Sequence, residues 1–230
     1  MSGRPRSCAA YWNAGSGMRG QVRHVAWVGD EDPERLEAAT VTLGTDRLVA
    51  LGTSRTTDYV TSWALETGPD WVTSRLDVAV FGHGWRRSLS LFRSDGGHWS
   101  SEAEATGRPV SDGEGMPEPG IQDADAIDGA LDCDLALCPV TNTMPILRLG
   151  ALDRAVPETR LVMAWVALPS LAVIRSDQLY SSGAPIDAAA GHGVVRYQSA
   201  SRDFVGDLTV DPDGLVIDYP QLARRIRPRA

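Results

Sequence analysis

The feature that most constrains the fold is a two-residue alternation of apolar and polar side chains that recurs about every ten residues. Successive side chains of a β-strand point to opposite faces, so this period is typical of half-buried strands. The alternating segments are residues 22–28, 57–65, 72–80, 85–93, 161–168, 171–174, 194–198, 204–210 and 215–219. Such strands, joined by Gly-rich turns, predict a mainly β protein, an antiparallel curved sheet or a β-barrel. No long helices alternate with them, which argues against a doubly wound sheet.

Turn and helix signals are few. Residues 211–214 read Asp-Pro-Asp-Gly between two apolar runs, which predicts a hairpin because proline presets φ and glycine takes a positive φ. Residues 141–150 predict one or two helical turns. In that segment Thr143 is the expected N-cap, Pro145 lies in the first turn and Gly150 ends the helix.

The charge is concentrated in one stretch. The net charge of the 230 residues is −8, yet residues 101–134 hold ten acids and one arginine, so they carry −9 and the rest carries +1. We interpret 101–134 as a long exposed loop of one domain, residues 1–230, with flexible ends at 1–10 and 226–230.

A calcium loop at 123–129 is the alternative for part of this acidic stretch, but its acids are misplaced for an EF-hand, so no metal is expected. An acidic chain is a poor nucleic-acid binder.

The ends and cysteines indicate a cytoplasmic protein. No apolar segment follows the basic N-terminus, and no apolar run reaches the length of a membrane span, so stable membrane insertion is not expected. The three cysteines are Cys8, Cys133 and Cys138, an odd number without CxxC spacing. This pattern argues against disulfides or a zinc site, and we expect Cys133 and Cys138 to be small buried residues.

No catalytic or cofactor motif is present. The sequence has no GxSxG elbow, no HExxH, no P-loop and no GxGxxG before a helix, so no cofactor is expected. Of the four histidines, His83, His98 and His192 lie in turn sequences. Only His24 lies in the middle of a predicted strand, where a surface or hydrogen-bonded role is the simpler interpretation.

The segment from residue 133 to 149, CDLALCPVTNTMPILRL, resembles the signature of the bacterial "putative glycolipid-binding" family, whose core reads TNTLPIRRL. The C-terminal segments 196–199 and 210–220 are also similar to that family. So is the order of Tyr59, Trp71, Arg75 and Trp99. The resemblance extends from about Trp12 to Arg225 and implies a curved sheet or half-open barrel that binds a glycolipid or another amphiphile.

This resemblance leads to a set of candidate ligand-binding residues. An apolar barrel interior would remove an acyl chain from water at about 25 cal/mol per Å². Arg148 is the best candidate to hold a head group, because its guanidinium donates two hydrogen bonds at once; pairing with Asp132 or Asp134 is an equal alternative. For the aromatic candidates, core packing is the alternative role. For Asn142 and Thr143, the alternative is capping of the predicted helix. The full predicted set is Tyr59, Trp63, Asn142, Thr143, Arg148, Tyr180 and Tyr197.

Two other functions stay open. An enzyme of the cyclase or isomerase type, in natural-product biosynthesis, would position a flexible hydrophobic substrate in the same cavity, and its candidate catalytic residues are His24, Glu66, Arg75 and Arg148. A module that binds a partner through the acidic loop is the third hypothesis. A closed apolar pocket with one buried ionisable group favours the enzyme, an open groove favours a binding protein, and a flat surface favours the partner module.

Overall fold

The chain folds into one curved β-sheet with a short helical segment packed on its inner face. The computed structural model describes residues 20–109, 115–199 and 203–226. Cys8, Trp12 and the predicted flexible ends, except Ile226, therefore lie outside the described residues. The strands are β1 (Gln21–Gly29), β2 (Leu36–Leu43), β3 (Leu48–Arg55), β4 (Tyr59–Thr67), β5 (Thr73–Gly82), β6 (Trp85–Arg93), β7 (Trp99–Thr106), β8 (Gly120–Ile121), β9 (Asp132–Leu135), β10 (Thr159–Val166), β11 (Ala172–Ser182), β12 (Gly193–Ser199), β13 (Phe204–Val210), β14 (Val216–Tyr219) and β15 (Ala223–Arg225).

The strand order explains why the sheet curves without closing. The order is β7-β6-β5-β4-β3-β2-β1-β15-β14-β13-β12-β11-β10-β9, and β8 pairs with β11 off this path. The pairs are antiparallel except β9–β10 and β8–β11, which are parallel. The mainly β prediction is confirmed, but the closed-barrel alternative is wrong. One end of the sheet, β7, is a polar strand exposed on both faces after Trp99, and the other, β9, has only four residues.

The strands with large alternating side chains lie where the sequence predicts them. In β4, for example, Thr61, Trp63 and Leu65 are buried on the inner face, while Ser62 is exposed on the outer face. Strands β2 and β3 were not predicted, because their outward-facing positions carry residues such as alanine and threonine, and β3 contains Gly52.

The acidic stretch is not one loop. Residues 101–106 continue β7, and residues 132–134 belong to β9. A 3₁₀ turn at Asp125–Ile127 buries Ile127 between them. The prediction of a loop over 101–134 is therefore wrong in extent, because hydrogen bonding to β6 and β10 holds both ends of the stretch in strands despite their acids.

The structure contains the predicted hairpin and the predicted helix, but the helix has a different N-cap. Asp211 accepts hydrogen bonds from the backbone N–H groups of residues 213 and 215, and Gly214 has φ 74°. The helix α1 spans Thr143–Leu149 and follows a 3₁₀ turn at Pro139–Asn142. Gly150 ends it in the left-handed conformation, as predicted. The predicted N-cap is wrong: Asn142 occupies that position without a capping hydrogen bond, because the Thr143 hydroxyl donates to the carbonyl of Gly214.

The inner face of the sheet is filled by side chains. One group of buried residues joins the inner faces of β1–β6 to the segment that contains Val140 and Met144, and a second joins β10–β14 to Ile146. Cys133 and Cys138 are buried and form no disulfide, as predicted. Burial raises the pKa of the Cys133 thiol to about 12, so this cysteine behaves as a small apolar residue.

A cross-strand contact between Gly52 and Trp63 tests the packing of the inner face. These residues are directly opposite in register, and a Cβ at Gly52 would lie 2.2 Å from Cζ2 of the indole. We expect Gly52→Val to lower the free energy of unfolding by about 1–3 kcal/mol through overpacking. Gly68→Ala, whose Cβ would meet nothing closer than 3.9 Å, is the control in urea denaturation. Equal stability of the two variants would contradict the packing described.

Candidate functional site

The signature segment is held by buried polar contacts. The guanidinium of Arg148 on α1 donates to both carboxylate oxygens of Asp132 on β9, with 2.7 Å between Nη1 and Oδ1. Burial raises the pKa of Asp132, and the adjacent Arg148 opposes this shift. Asp134 accepts hydrogen bonds from the Thr141 hydroxyl at 2.8 Å and from Nε2 of Gln178 at 2.6 Å. Of the two alternatives for Arg148, the structure therefore contains the ion pair with Asp132.

Four of the predicted ligand-binding residues lie on the signature segment or on the strands β11 and β12. Asn142 Oδ1 accepts a hydrogen bond from the Tyr180 hydroxyl at 2.9 Å, and the Tyr180 and Tyr197 rings are 5.1 Å apart. Thr143, the fourth, is fully buried. Tyr180 and Tyr197 belong to the second group of buried residues, and Asn142 and Thr143 are buried as well. Their ligand-binding role stays a prediction.

Tyr59 and Trp63 lie in the other half of the sheet, on β4. Trp63 is buried against Gly52, and its indole Nε1 has no hydrogen-bond partner within the described part of the chain. Tyr59 is half-buried, and its burial raises the pKa of the phenol. The structure thus divides the predicted ligand-binding set between two separate regions of the inner face.

Three of the four candidate catalytic residues lie on the outer face and are not brought together, and the fourth, Arg148, is paired with Asp132 on the inner face. His24 is exposed on β1, with Nδ1 3.0 Å from the Thr40 hydroxyl. Glu66 and Arg75 are opposite each other on β4 and β5, three and four strands from β1. Arg75 is engaged by Asp77 at 2.6 Å. Because adjacent strands are about 4.8 Å apart, His24 is too far from Glu66 for proton transfer within one site.

Glu37 on β2 carries a buried carboxylate and is not among the site residues predicted from the sequence. Its Oε2 lies 3.5 Å from Nη1 of Arg35, and its Oε1 has no partner among the described residues. Burial raises its pKa to about 7, although the Cys138 thiol and Arg35 both lower it. The alternation in Leu36–Leu43 carried the signal, since it places position 37 on the same face as the buried Val41.

Two adjoining grooves open on the outer face of the sheet. The first has a volume of about 540 Å³ and the second about 850 Å³. They share Ala26, Ala38, Thr53 and Ile226, so they form one continuous surface, which we call the outer groove. Its floor is a row of small side chains that lie opposite one another across four strands. That row consists of Ala26, Ala38, Thr53 and Ser62.

One end of the outer groove is apolar. Leu36, Val60, Phe81 and Ile226 line the first groove and are each 44–49% exposed. Val60 and Phe81 are directly opposite in register on β4 and β5. Arg55 on β3 lies between Leu36 and Val60 in register, so this end combines large exposed apolar side chains with one guanidinium. Exposed apolar side chains grouped in this way are typical of an interaction site.

The other end of the outer groove borders the 211–215 hairpin. The second groove is lined by Arg23, His24, Asp211 and Arg225 in addition to the shared floor. Arg23 pairs with Asp213 at 2.5 Å, and Arg225 pairs with Asp211 at 2.6 Å, so the 211–215 hairpin is tied to β1 and β15. The register places Arg23 and Arg225 on the same face as the buried Val41 and Trp27, so both ion pairs lie on the inner side of the sheet. The outer face of this end presents His24, Thr40 and Leu51.

Residues 20–109, 115–199 and 203–226 contain neither a cluster of metal ligands nor a membrane-spanning helix. No group of three or more metal-ligating side chains lies within that part of the chain. No helix in these residues has both the length and the hydropathy to cross a bilayer.

Titration of Glu37 gives a test of its burial. Its pKa is about 7 in the folded protein and about 4.5 in the unfolded chain, so the folded state binds the proton more tightly. We expect the free energy of unfolding of the wild type to fall by about 3 kcal/mol as pH rises from 4.5 through 7. Glu37→Gln removes this decline, so its stability relative to wild type rises over the same interval.

Urea denaturation at pH 4.5, 5.5, 6.5 and 7.5 measures this difference. Glu66→Gln is the control, because Glu66 is exposed on the outer face of β4. A constant stability difference between Glu37→Gln and wild type across these pH values would show that Glu37 is not buried as an ionisable group.

Comparison with known proteins identifies the family of the chain. The family described as "Putative glycolipid-binding" matches residues 24–225. A crystal structure of a DUF1089 family protein from Pseudomonas aeruginosa is similar, with a TM-score of 0.59 and 27% sequence identity over 83% of this chain and 92% of that one. No curated protein matches the sequence significantly. The family match covers most of the chain, and on this basis the chain belongs to the family described as "Putative glycolipid-binding".

Proposed function

We propose that the protein binds one amphiphile of the glycolipid class, with its acyl chain lying in the outer groove. The observation that carries the proposal is the strip of exposed apolar side chains beside a floor of small ones. Small floor residues let a chain approach the sheet backbone, and Leu36, Val60 and Phe81 supply apolar contact beside it. The family to which the chain belongs is described by the same ligand class.

The dimensions of the outer groove fit one acyl chain. Ala26 and Phe81 lie on β1 and β5, which are four strand spacings apart, or about 19 Å. Half of a bilayer's hydrocarbon core, the depth that one acyl chain spans, is about 15 Å. Each Å² of apolar surface removed from water there contributes about 25 cal/mol, which favours a chain over a short polar ligand.

Binding without catalysis is favoured over the enzyme hypothesis. The outer groove is open along its length, whereas a cyclase or isomerase excludes water around a reactive chain. His24, Glu66 and Arg75 are spread over β1, β4 and β5, and Arg75 is already paired with Asp77. The open groove thus supports holding an amphiphile, and these three candidates, all within the described part of the chain, form no assembled acid–base pair.

A charge placed in the apolar end tests the proposal. We expect Val60→Asp to weaken binding of a fluorescent acyl amphiphile at least tenfold, because a carboxylate beside the chain must be desolvated. Val205→Asp is the matched control: Val205 lies on β13 and is 47% exposed, against 46% for Val60.

Fluorescence titration of wild type and both variants measures the effect. A loss confined to Val60→Asp supports the proposed groove. Equal binding by all three proteins would place the acyl chain elsewhere, and no binding by wild type would contradict an amphiphile-binding function.

A further inference from the structure

Three buried polar atoms in one part of the inner face have no hydrogen-bond partner among the described residues. They are Oε1 of Glu37 on β2, and Oγ1 of Thr61 and Nε1 of Trp63 on β4. These residues are only 2–5% exposed. An unpaired buried polar atom costs free energy, and in folded proteins such atoms are nearly always satisfied by protein groups or by bound water.

Strand register places the three side chains side by side. Glu37 is opposite Ser54 on β3, and Ser54 is opposite Thr61, so one row across three strands carries all three residues. Trp63 is the next residue along β4 on the same face, and it lies opposite Gly52. A Cβ at Gly52 would be 2.8 Å from Nε1 of the indole, so this N–H lies over β3, the strand between Glu37 and Thr61.

The charges around these atoms favour an uncharged occupant. Oε2 of Glu37 is 3.5 Å from Nη1 of the buried Arg35, so carboxylate and guanidinium offset each other. The thiol of Cys138 also contacts Glu37 and stays neutral, because burial raises its pKa. A cation would meet the guanidinium and the indole N–H, and an anion would meet the carboxylate.

The hydrogen-bonding pattern requires an occupant that both donates and accepts. The indole N–H of Trp63 only donates, the ionised carboxylate of Glu37 only accepts, and the hydroxyl of Thr61 does either. Water offers two donors and two acceptors in the smallest volume, which suits an inner face filled by side chains. A buried water typically makes about three hydrogen bonds to polar groups that are otherwise unsatisfied.

We propose that this part of the inner face is an internal hydration site, where bound water is hydrogen-bonded to Glu37, Thr61 and Trp63. The site lies on the opposite face of the strands that form the floor of the outer groove, so it is separate from the site proposed for the acyl chain. Trp63 belongs to the predicted ligand-binding set, and the proposal gives its indole N–H water as the partner.

A crystal structure at a resolution that shows ordered water tests the site directly. Density for water is expected within hydrogen-bonding distance of Trp63 Nε1 and of Glu37 Oε1. Trp27 is the internal control, because its indole N–H donates to the carbonyl of Val216 at 2.9 Å and needs no water. A lack of density at all three atoms, or an organic molecule in its place, overturns the proposal.

The substitution Thr61→Val gives a second test, in which the sign of the effect depends on the water. If water is bonded to the Thr61 hydroxyl, valine removes a hydrogen bond and leaves that water short of a partner, so the urea midpoint shifts to lower concentration. If the hydroxyl is unpaired, its removal relieves a desolvation cost and the midpoint rises.

The expected result is a lower midpoint for Thr61→Val than for wild type. Thr53→Val is the matched control, since Thr53 is exposed on the outer face of β3 and its hydroxyl is open to solvent. A midpoint for Thr61→Val above those of wild type and control overturns the hydration site. Binding of an acyl amphiphile to the outer groove is measured separately, so neither result decides that function.

Discussion

The packing of the signature segment onto the inner face of the sheet is the constraint on which the rest of the structure depends. The buried ion pair of Asp132 with Arg148 fixes α1 against β9, and Asp134 is held by Thr141 and Gln178. Removing one partner of such a pair leaves a charge buried without compensation, at a cost of about 3–5 kcal/mol. These contacts occupy the space where a half-open barrel would hold a ligand, and the outer groove lies on the opposite face.

The outer groove depends on strand register. Its floor combines single small residues from β1, β2, β3 and β4. The row beside it combines Leu36, Val60 and Phe81 with Arg55, which lies between Leu36 and Val60. A shift of one residue in any pair would turn these side chains inward. The buried aromatic and aliphatic residues of the inner face, such as Trp63 opposite Gly52, hold that register and therefore shape a surface they do not line.

The sequence was sufficient to predict the fold class but not the site. Strands such as β4 and β5 were predictable because large apolar residues alternate in them, whereas β2 is masked by its alanines and threonines. The proposed groove has no sequence motif. Each floor residue is ordinary in its own strand, and the groove forms only because strand pairing places these small residues side by side. Arg148 illustrates the same limit: its fork geometry suits a ligand or Asp132 equally, and only the fold decides between them.

The proposal that the acyl chain lies on the outer face is tested most directly by photolabelling. A glycolipid with a diazirine at the middle of its acyl chain is bound, irradiated and located by peptide mass spectrometry. The account predicts labels on exposed residues of β2, β4 and β5, centred on Leu36, Val60 and Phe81. Labels on buried inner-face residues such as Tyr180 and Tyr197 would contradict it and would place the ligand in the interior instead.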